Sequence, residues 1–282
     1  MHTLTLATGA RMPTLGFGVF QIPPEATAQA VAQAITAGYR HIDTAQIYLN
    51  EQQTGQGIRD SGVPREDLFV TSKVWVSNAG HQQARASVER SLARLGLDHV
   101  DLMLIHRPFG DVYGTWRALQ DLQAEGRIRT IGVSNFSNLQ LVDLGTFNTT
   151  MPAVNQIEIH PFYPRHNLVR ALQVEGVTVQ AWAPFAEGKH DIFNHPVLSG
   201  IGVRHGKSVA QVIVRWLLER NIVVLAKTVH PERMAQNLDV FDFELSEDDH
   251  RAIATLDRGE SLFNNHESPD EIRKLKTQVL NV

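Results

Sequence analysis

Short runs of β-branched and aliphatic residues alternate with longer amphipathic stretches along nearly the whole chain, and this rhythm restricts the fold more than any other feature. The apolar runs at residues 14–18, 41–43, 68–73, 100–105, 128–133, 154–159, 178–181 and 222–225 are eight strand candidates. Between them, stretches such as 25–37, 84–95, 114–125 and 208–219 carry apolar residues at spacings of three and four, the period of a helix with one buried face. Strands and helices in regular alternation are the mark of βαβ units around a parallel sheet, and eight units predict a closed (β/α)8 TIM barrel. No linker or low-complexity tract interrupts the rhythm, so residues 1–282 are expected to form a single domain. Ahead of the first unit, Leu4, Leu6, a turn at Gly9 and Met12 predict a small hairpin that closes the barrel floor. The segment after Asp257 is short and polar, which predicts a short tail, no long lid and an open pocket.

Composition removes several function classes. The chain has no cysteine, so disulfides, thiolate metal sites and a cysteine nucleophile are excluded. No apolar run is long enough to span a membrane, and the first residues lack the basic start and cleavage site of a secretory signal, so a soluble cytoplasmic protein is expected. A net charge of -4 with mixed signs offers no broad basic face for nucleic acid. Of the 13 histidines, His160 and His166 are the candidates for a metal site, but no compact ligand pattern accompanies them and no metal is expected.

In a parallel barrel, chemistry gathers where strands run out, so ionisable and polar residues just after apolar runs are informative. Asp43, Lys73, His106, Asn135 and Gln156 all stand there. Any one of them is more often a strand-end residue meeting solvent, but a closing barrel brings several to one place. Asp43, Tyr48, Lys73 and His106 make chemical sense together. A phenol titrates near 10, so Tyr48 is a weak proton donor at neutral pH unless its anion is stabilised. Lys73 supplies the charge that lowers that pKa, Asp43 holds Lys73, and His106 orients a substrate oxygen. Such a group suits an oxygen that gains negative charge, as a carbonyl does when hydride reaches its carbon.

At these residues the chain resembles the aldo-keto reductase superfamily. GYRHIDTAQIYLNE at residues 38–51 is similar to the family's first signature, followed in order by TSKVW around Lys73, LIHRP around His106, GVSNF at 132–136 and NQIEIHPF at 155–162. QAWAPF around Trp182, GKHDIF at 188–193 and NLDVFDF at 237–243 resemble the 2,5-diketo-D-gluconate reductases within it. The resemblance implies NADPH/NADP+ extended across the barrel top, a small-molecule carbonyl substrate, catalysis by Asp43, Tyr48, Lys73 and His106, and a monomer. It assigns Ser134, Asn135 and Gln156 to the nicotinamide carboxamide and Trp182 to stacking on the ring, against the plainer reading of Trp182 as a core aromatic. AKTVHPERMAQN assigns Lys227, Thr228, His230 and Arg233 to the adenosine 2′-phosphate, with Gln236 and Asn237 near the adenine; the plainer reading is a solvated basic helix start. Two weaker phosphate motifs fail. Gly16-Phe17-Gly18 lacks its third glycine and reads as a strand end, and Gly206-Lys207-Ser208 reads as a helix start.

The sequence departs from the family pattern at Ala226 (usually proline), Ala183 (commonly serine) and residues 185–187 (usually leucine-glycine), which puts the pyrophosphate loop in question. Arg107 replaces a frequent tryptophan. It either pairs with a substrate carboxylate or turns to solvent or an internal ion pair. Phe20, Trp75 and Phe109, with His106 and Arg107, are expected to line the substrate pocket, and its apolar walls favour hydrophobic aldehydes and ketones. The competing reading is a nucleotide-binding regulatory or sensor protein on the same fold.

Overall fold

The computed structural model describes residues 2–263 and 268–280. Two short antiparallel strands, β1 (Thr3–Thr5) and β2 (Arg11–Pro13), form the expected hairpin. Eight parallel strands follow: β3 (Leu15–Gly18), β4 (His41–Asp43), β5 (Phe69–Val74), β6 (Val100–Ile105), β7 (Ile128–Ser134), β8 (Val154–Glu158), β9 (Thr178–Trp182) and β10 (Ile222–Ala226). Each pairs with its sequence neighbours, and β10 pairs with β3 to close the barrel. The eight strands fall on the eight apolar runs, with ends displaced by at most one residue. The displacements arise because a ladder ends where its neighbour stops offering backbone partners, which a hydrophobic run does not encode.

The crossovers are α1 (Pro24–Ala37), α2 (Glu51–Asp60), α3 (His81–Leu95), α4 (Val112–Ala124), α5 (Asn138–Thr146), α6 (His166–Val174), α7 (Pro196–His205) and α8 (Val209–Glu219). Three more helices, α9 (Pro231–Leu238), α10 (Glu247–Ala254) and α11 (Pro269–Thr277), follow the last strand. The segment that mimicked a phosphate loop is a junction: Gly206 ends α7 at φ 65, and Ser208 caps α8 in a capping box with Gln211. The other near match, at Gly16, reflects close packing, since a Cβ there would stand 2.7 Å from His41 Nδ1.

The larger core lies between barrel and helices, and includes Phe17, Val31, Leu92, Met103, Trp116, Ile131, Val179 and Ile213. A second cluster joins Leu6 and Met12 of the hairpin to Phe69, Leu102, Leu104, Val154 and Val223 inside the barrel, so the hairpin plugs the floor. Every strand therefore has only one open end, and polar side chains collect there.

Just above the floor, His41 is fully buried and its Nε2 lies 3.1 Å from Thr71 Oγ1. Burial, chiefly, pushes its pKa down to about 3. The unfolded chain binds this proton below about pH 6.5 and the native state rejects it, so the histidine's contribution is complete above that pH and is lost as pH falls toward 3. Urea titrations of wild type and His41→Gln at pH 7 and pH 4.5 should show a shallower pH loss in the variant. Equal slopes would mean that His41 is not the group excluded from protonation.

Candidate active site

The site begins with how Tyr48 is held. After β4 the chain makes a 3-10 turn, Gln46–Tyr48, passes through Leu49 in the left-handed region at φ 58, and enters α2 after Asn50. Both flanking polar residues are buried and bonded. Gln46 Oε1 accepts from Trp75 N at 2.9 Å and Asn78 Nδ2 at 2.8 Å, while its Nε2 donates to Ser91. Asn50 Nδ2 donates to Val19 O at 3.1 Å and its Oδ1 accepts from Thr44. Glu51, the next residue, accepts from Ser72 Oγ at 2.6 Å. Tyr48 thus sits on a short turn pinned at both ends, which fixes its hydroxyl without a long element.

Lys73 lies at the top of β5, fully buried. Its Nζ donates to Asp43 Oδ1 at 2.5 Å, Thr44 O at 2.9 Å and Tyr48 Oη at 3.2 Å. An ammonium has three hydrogens, and these partners use all of them. Burial disfavours the ammonium, but Asp43 and then Tyr48 more than offset that, and Lys73 is held above its ordinary pKa. Asp43 is pushed up by burial against the pull of Lys73 and of Gln156, whose Nε2 donates to Asp43 Oδ2 at 2.8 Å.

Tyr48 corrects the expectation about its acidity. Burial raises the phenol pKa more than Lys73 lowers it, so the net shift is upward. Sequence reasoning saw the lysine and not the desolvation that accompanies it. The hydroxyl is protonated at neutral pH, and the lysine's role is to stabilise negative charge that develops on that oxygen when the proton leaves.

His106 follows β6, its ring edge-on to Tyr48 (centroids 5.8 Å apart) and Trp75 (5.1 Å). Burial, then Lys73 and Arg107, hold its pKa well below the usual range, so the imidazole is neutral and has one N–H available to donate. Phe20 is half exposed with its ring 4.9 Å from Tyr48, Trp75 is buried against His106, and Phe109 is half-buried on the loop after Arg107. The solvent-facing alternative for Arg107 is not what the structure gives. The guanidinium is largely withdrawn from water, and burial lowers its pKa while Tyr48, Glu271 and Glu158 act in the opposite sense.

A second chain of polar contacts crosses the barrel mouth from these residues. Asn135, left-handed at φ 64, donates to His106 O at 3.1 Å and Ser134 Oγ at 2.9 Å, and its Oδ1 accepts from Trp182 Nε1 at 2.9 Å. Ser134 Oγ donates to Gln156 O, and Gln156 Nε2 also reaches Gln180 Oε1 at 2.9 Å. Ser134, Asn135, Gln156 and Trp182 are therefore brought together beside the tetrad. This fits an amide-bearing ring laid against Trp182, because the strand-end amides are already fixed in orientation.

The clamp residues lie apart from the tetrad, after β10. Lys227, His230, Arg233 and Gln236 are exposed around the start of α9, and Thr228 is buried with its Oγ1 accepting from His230 N. Among the described residues neither Lys227 nor Arg233 forms an ion pair, and α9 has no side-chain cap. Two unpaired cations at an uncapped helix start suit a dianionic phosphate. Asn237 is different: it is buried on the inner side of α9, beside Tyr39. Ala183 and residues 185–187 fall in a contorted loop, where Ala183, Ala186, Glu187, His190 and Asp191 all have positive φ and Gln21 Nε2 meets Glu187 Oε2 at 3.4 Å, whereas Ala226 ends β10.

Two findings were not read from the sequence. Gln46, Asn50, Glu51 and Gln180 are buried supports of the site; the first three lie inside the block at 38–51, whose polarity was the available signal. The segment after Asp257 also does not leave the mouth open. Ser261 and Leu262 bond to Glu158, Phe263 meets Trp182, Trp75 Nε1 donates to Gln278 O at 2.9 Å, and Leu280 N donates to Ser77 Oγ. A polar segment can dock through backbone groups and single side chains, which hydropathy does not report. His160, weighed with His166 as a metal ligand, instead lies 3.0 Å from Glu158 through its Nε2, and the described residues contain no group of three potential ligands close enough to hold a metal.

The Aldo/keto reductase family model matches residues 12–258. An aldo-keto reductase of Mycolicibacterium smegmatis is 45% identical over 262 residues, covering 92% of this chain and 94% of that one. The glyoxal reductase of Bacillus subtilis is 44% identical over 273 residues, 96% of this chain and 97% of its own. Among solved structures, the Bombyx mori aldo-keto reductase in complex with NADP superposes with a TM-score of 0.90 at 33% identity, covering 96% of each chain.

Proposed function

The chain belongs to the aldo/keto reductase family, and from that membership we propose that it is an NADPH-dependent reductase of aldehydes and ketones with Tyr48 as proton donor. The observation that carries the reading is the three-way engagement of Lys73 with Asp43, Thr44 and Tyr48 in a fully buried setting, next to a neutral His106. NADPH, when bound, supplies the hydride to the carbonyl carbon. The substrate oxygen lies between Tyr48 Oη and the His106 ring and accepts hydrogen bonds from both. As charge develops on it, Tyr48 gives up its proton, and Lys73, kept cationic by Asp43, stabilises the phenolate left behind. Ser134, Asn135 and Gln156 would orient the nicotinamide carboxamide, Trp182 would cover one ring face, and Lys227, Thr228, His230 and Arg233 would receive the 2′-phosphate, with Gln236 on the adenine side and Asn237 turned inward beside Tyr39.

The substrate class we assign is supported by the side chains around the tetrad. Trp75, Phe20 and Phe109 favour a hydrophobic or small aldehyde, in line with the B. subtilis relative named for glyoxal, and Arg107 adds a group for keto acids such as 2,5-diketo-D-gluconate. The test is NADPH oxidation at neutral pH with glyoxal, aromatic aldehydes, 2-keto acids and the diketo sugar acid. Turnover supports the reductase, and preference for the acids assigns Arg107 to a carboxylate. NADPH binding without turnover on any of them would favour a sensor role instead.

The phosphate clamp makes its own prediction. Arg233→Ala should weaken NADPH binding by about tenfold or more, as loss of one charge-assisted phosphate contact does, and leave NADH nearly unchanged. Fluorescence titration with both nucleotides measures it, and equal losses would remove Arg233 from the 2′-phosphate.

A further inference from the structure

Strand β9 places one polar side chain, Gln180, between the buried apolar residues Val179 and Ala181, and Gln180 is itself fully buried. The parallel register sets it beside Gln156 of β8 and Val223 of β10. Residues paired in this way present their side chains to the same face of the sheet. Gln180 Oε1 accepts from Gln156 Nε2 at 2.9 Å, and that nitrogen also donates to Asp43 Oδ2 at 2.8 Å. On the other side Val223, part of the apolar filling of the barrel, offers no acceptor. Gln180 Nε2 is accordingly a buried donor with no partner among the described residues.

Satisfying one hydrogen of Gln156 leaves both hydrogens of Gln180 Nε2 unbonded, and buried donors without partners destabilise. The pair thus gains nothing in stability over an apolar residue at position 180. The contact does have a directional consequence. An ionised carboxylate only accepts, so Asp43 turns the NH2 end of Gln156 toward itself, and Gln180 Oε1 takes the second of that group's two hydrogens. One bond to Asp43 would leave the amide free to rotate about it, whereas two partners on different strands fix its plane. Gln156 Oε1 accepts no hydrogen bond among the described residues, so the carbonyl end of the amide is the end left for a ligand.

We propose that Gln180 is a positioning residue for the coenzyme: by accepting from Gln156 Nε2 it holds Gln156 Oε1 in place to receive the N–H of the nicotinamide carboxamide. The inference rests on the assignment of Gln156 to that carboxamide in the reductase reading. Gln180 acts through Gln156 and takes no part in the chemical step.

The experiment is calorimetric titration of wild type, Gln180→Met, Gln156→Met and the double variant with two nucleotides. One is NADPH. The other is reduced 3-acetylpyridine adenine dinucleotide phosphate, whose methyl ketone replaces the carboxamide and has no N–H for Gln156 Oε1. Gln180→Met keeps the side-chain length and loses the acceptor. It should weaken NADPH binding about fivefold, as loss of one net neutral hydrogen bond does, and change binding of the analogue by less than about twofold. The double variant should bind NADPH no more weakly than Gln156→Met, since the effect travels through one contact. The Tm of the nucleotide-free protein should stay near the wild-type value in Gln180→Met, because one set of unbonded hydrogens is exchanged for another. Equal losses for both nucleotides, unchanged NADPH binding, or additive losses in the double variant would overturn the proposal. Should Gln180→Met not fold, Gln180→Leu tests the same contact with the same readouts. Failure of NADPH to bind the wild type would sink the reductase reading itself, whereas a wild-type preference for NADPH over the analogue that Gln180→Met retains in full would sink only the role of Gln180.

Discussion

Tyr48→Phe should bind NADPH within about twofold of wild type and lose turnover by roughly a thousandfold, the range in which a positioned general acid contributes. The hydroxyl bonds to Lys73 Nζ and is absent from the network of Ser134, Asn135 and Gln156, so removing one oxygen leaves those contacts intact. The ring also stays, retaining its packing on Phe20 and His106. Single-turnover kinetics with saturating NADPH would isolate the chemical step. A rate within tenfold of wild type would transfer the proton donor's role elsewhere, with His106 next in line because it is the other donor at that position.

Lys73→Met is expected to cost both activity and stability, and the two losses separate. Asp43 would keep Gln156 but lose its cation, and an uncompensated buried charge costs about 3–5 kcal/mol. Asp43 already titrates above its ordinary value because of burial, and loss of Lys73 would raise it further. A carboxyl whose folded pKa exceeds its unfolded one stabilises below the unfolded pKa and progressively less as pH rises through the folded one. The variant's deficit should therefore be smaller at pH 4.5 than at pH 8. Adding Asp43→Asn should recover much of the stability and none of the turnover. Denaturation midpoints at the two pH values check the first claim. Full stability of Lys73→Met at pH 8 would mean that Asp43 is not charged in the native protein.

Both predictions depend on burial as much as on residue identity, and that distinction decides what was legible. The eight strands could be read because β-branched runs alternating with amphipathic stretches have one economical closure. Asp43, Lys73 and His106 could be placed because a parallel barrel exposes one strand end, so a polar residue after an apolar run has a known destination. Tyr48 was legible only through the surrounding block and its resemblance, since it lies on a turn rather than at a strand end. The sign of its pKa shift was not legible, because desolvation depends on groups from several strands and loops that are far apart in the chain.

The sequence by itself determined the alternation, the parallel barrel that eight such units suggest, the hairpin at the floor, and the set of polar residues at the strand ends. These are local properties, or follow from a single period. Only the tertiary structure decided that Gln46 and Asn50 clamp the tyrosine turn, that Asn237 faces inward, that Arg107 is withdrawn from water, and that Glu158 holds the segment carrying Phe263. Each of these joins residues distant in sequence through one or two directional contacts. Such contacts leave no periodic trace in the chain, and their energies depend on how much water the finished fold excludes.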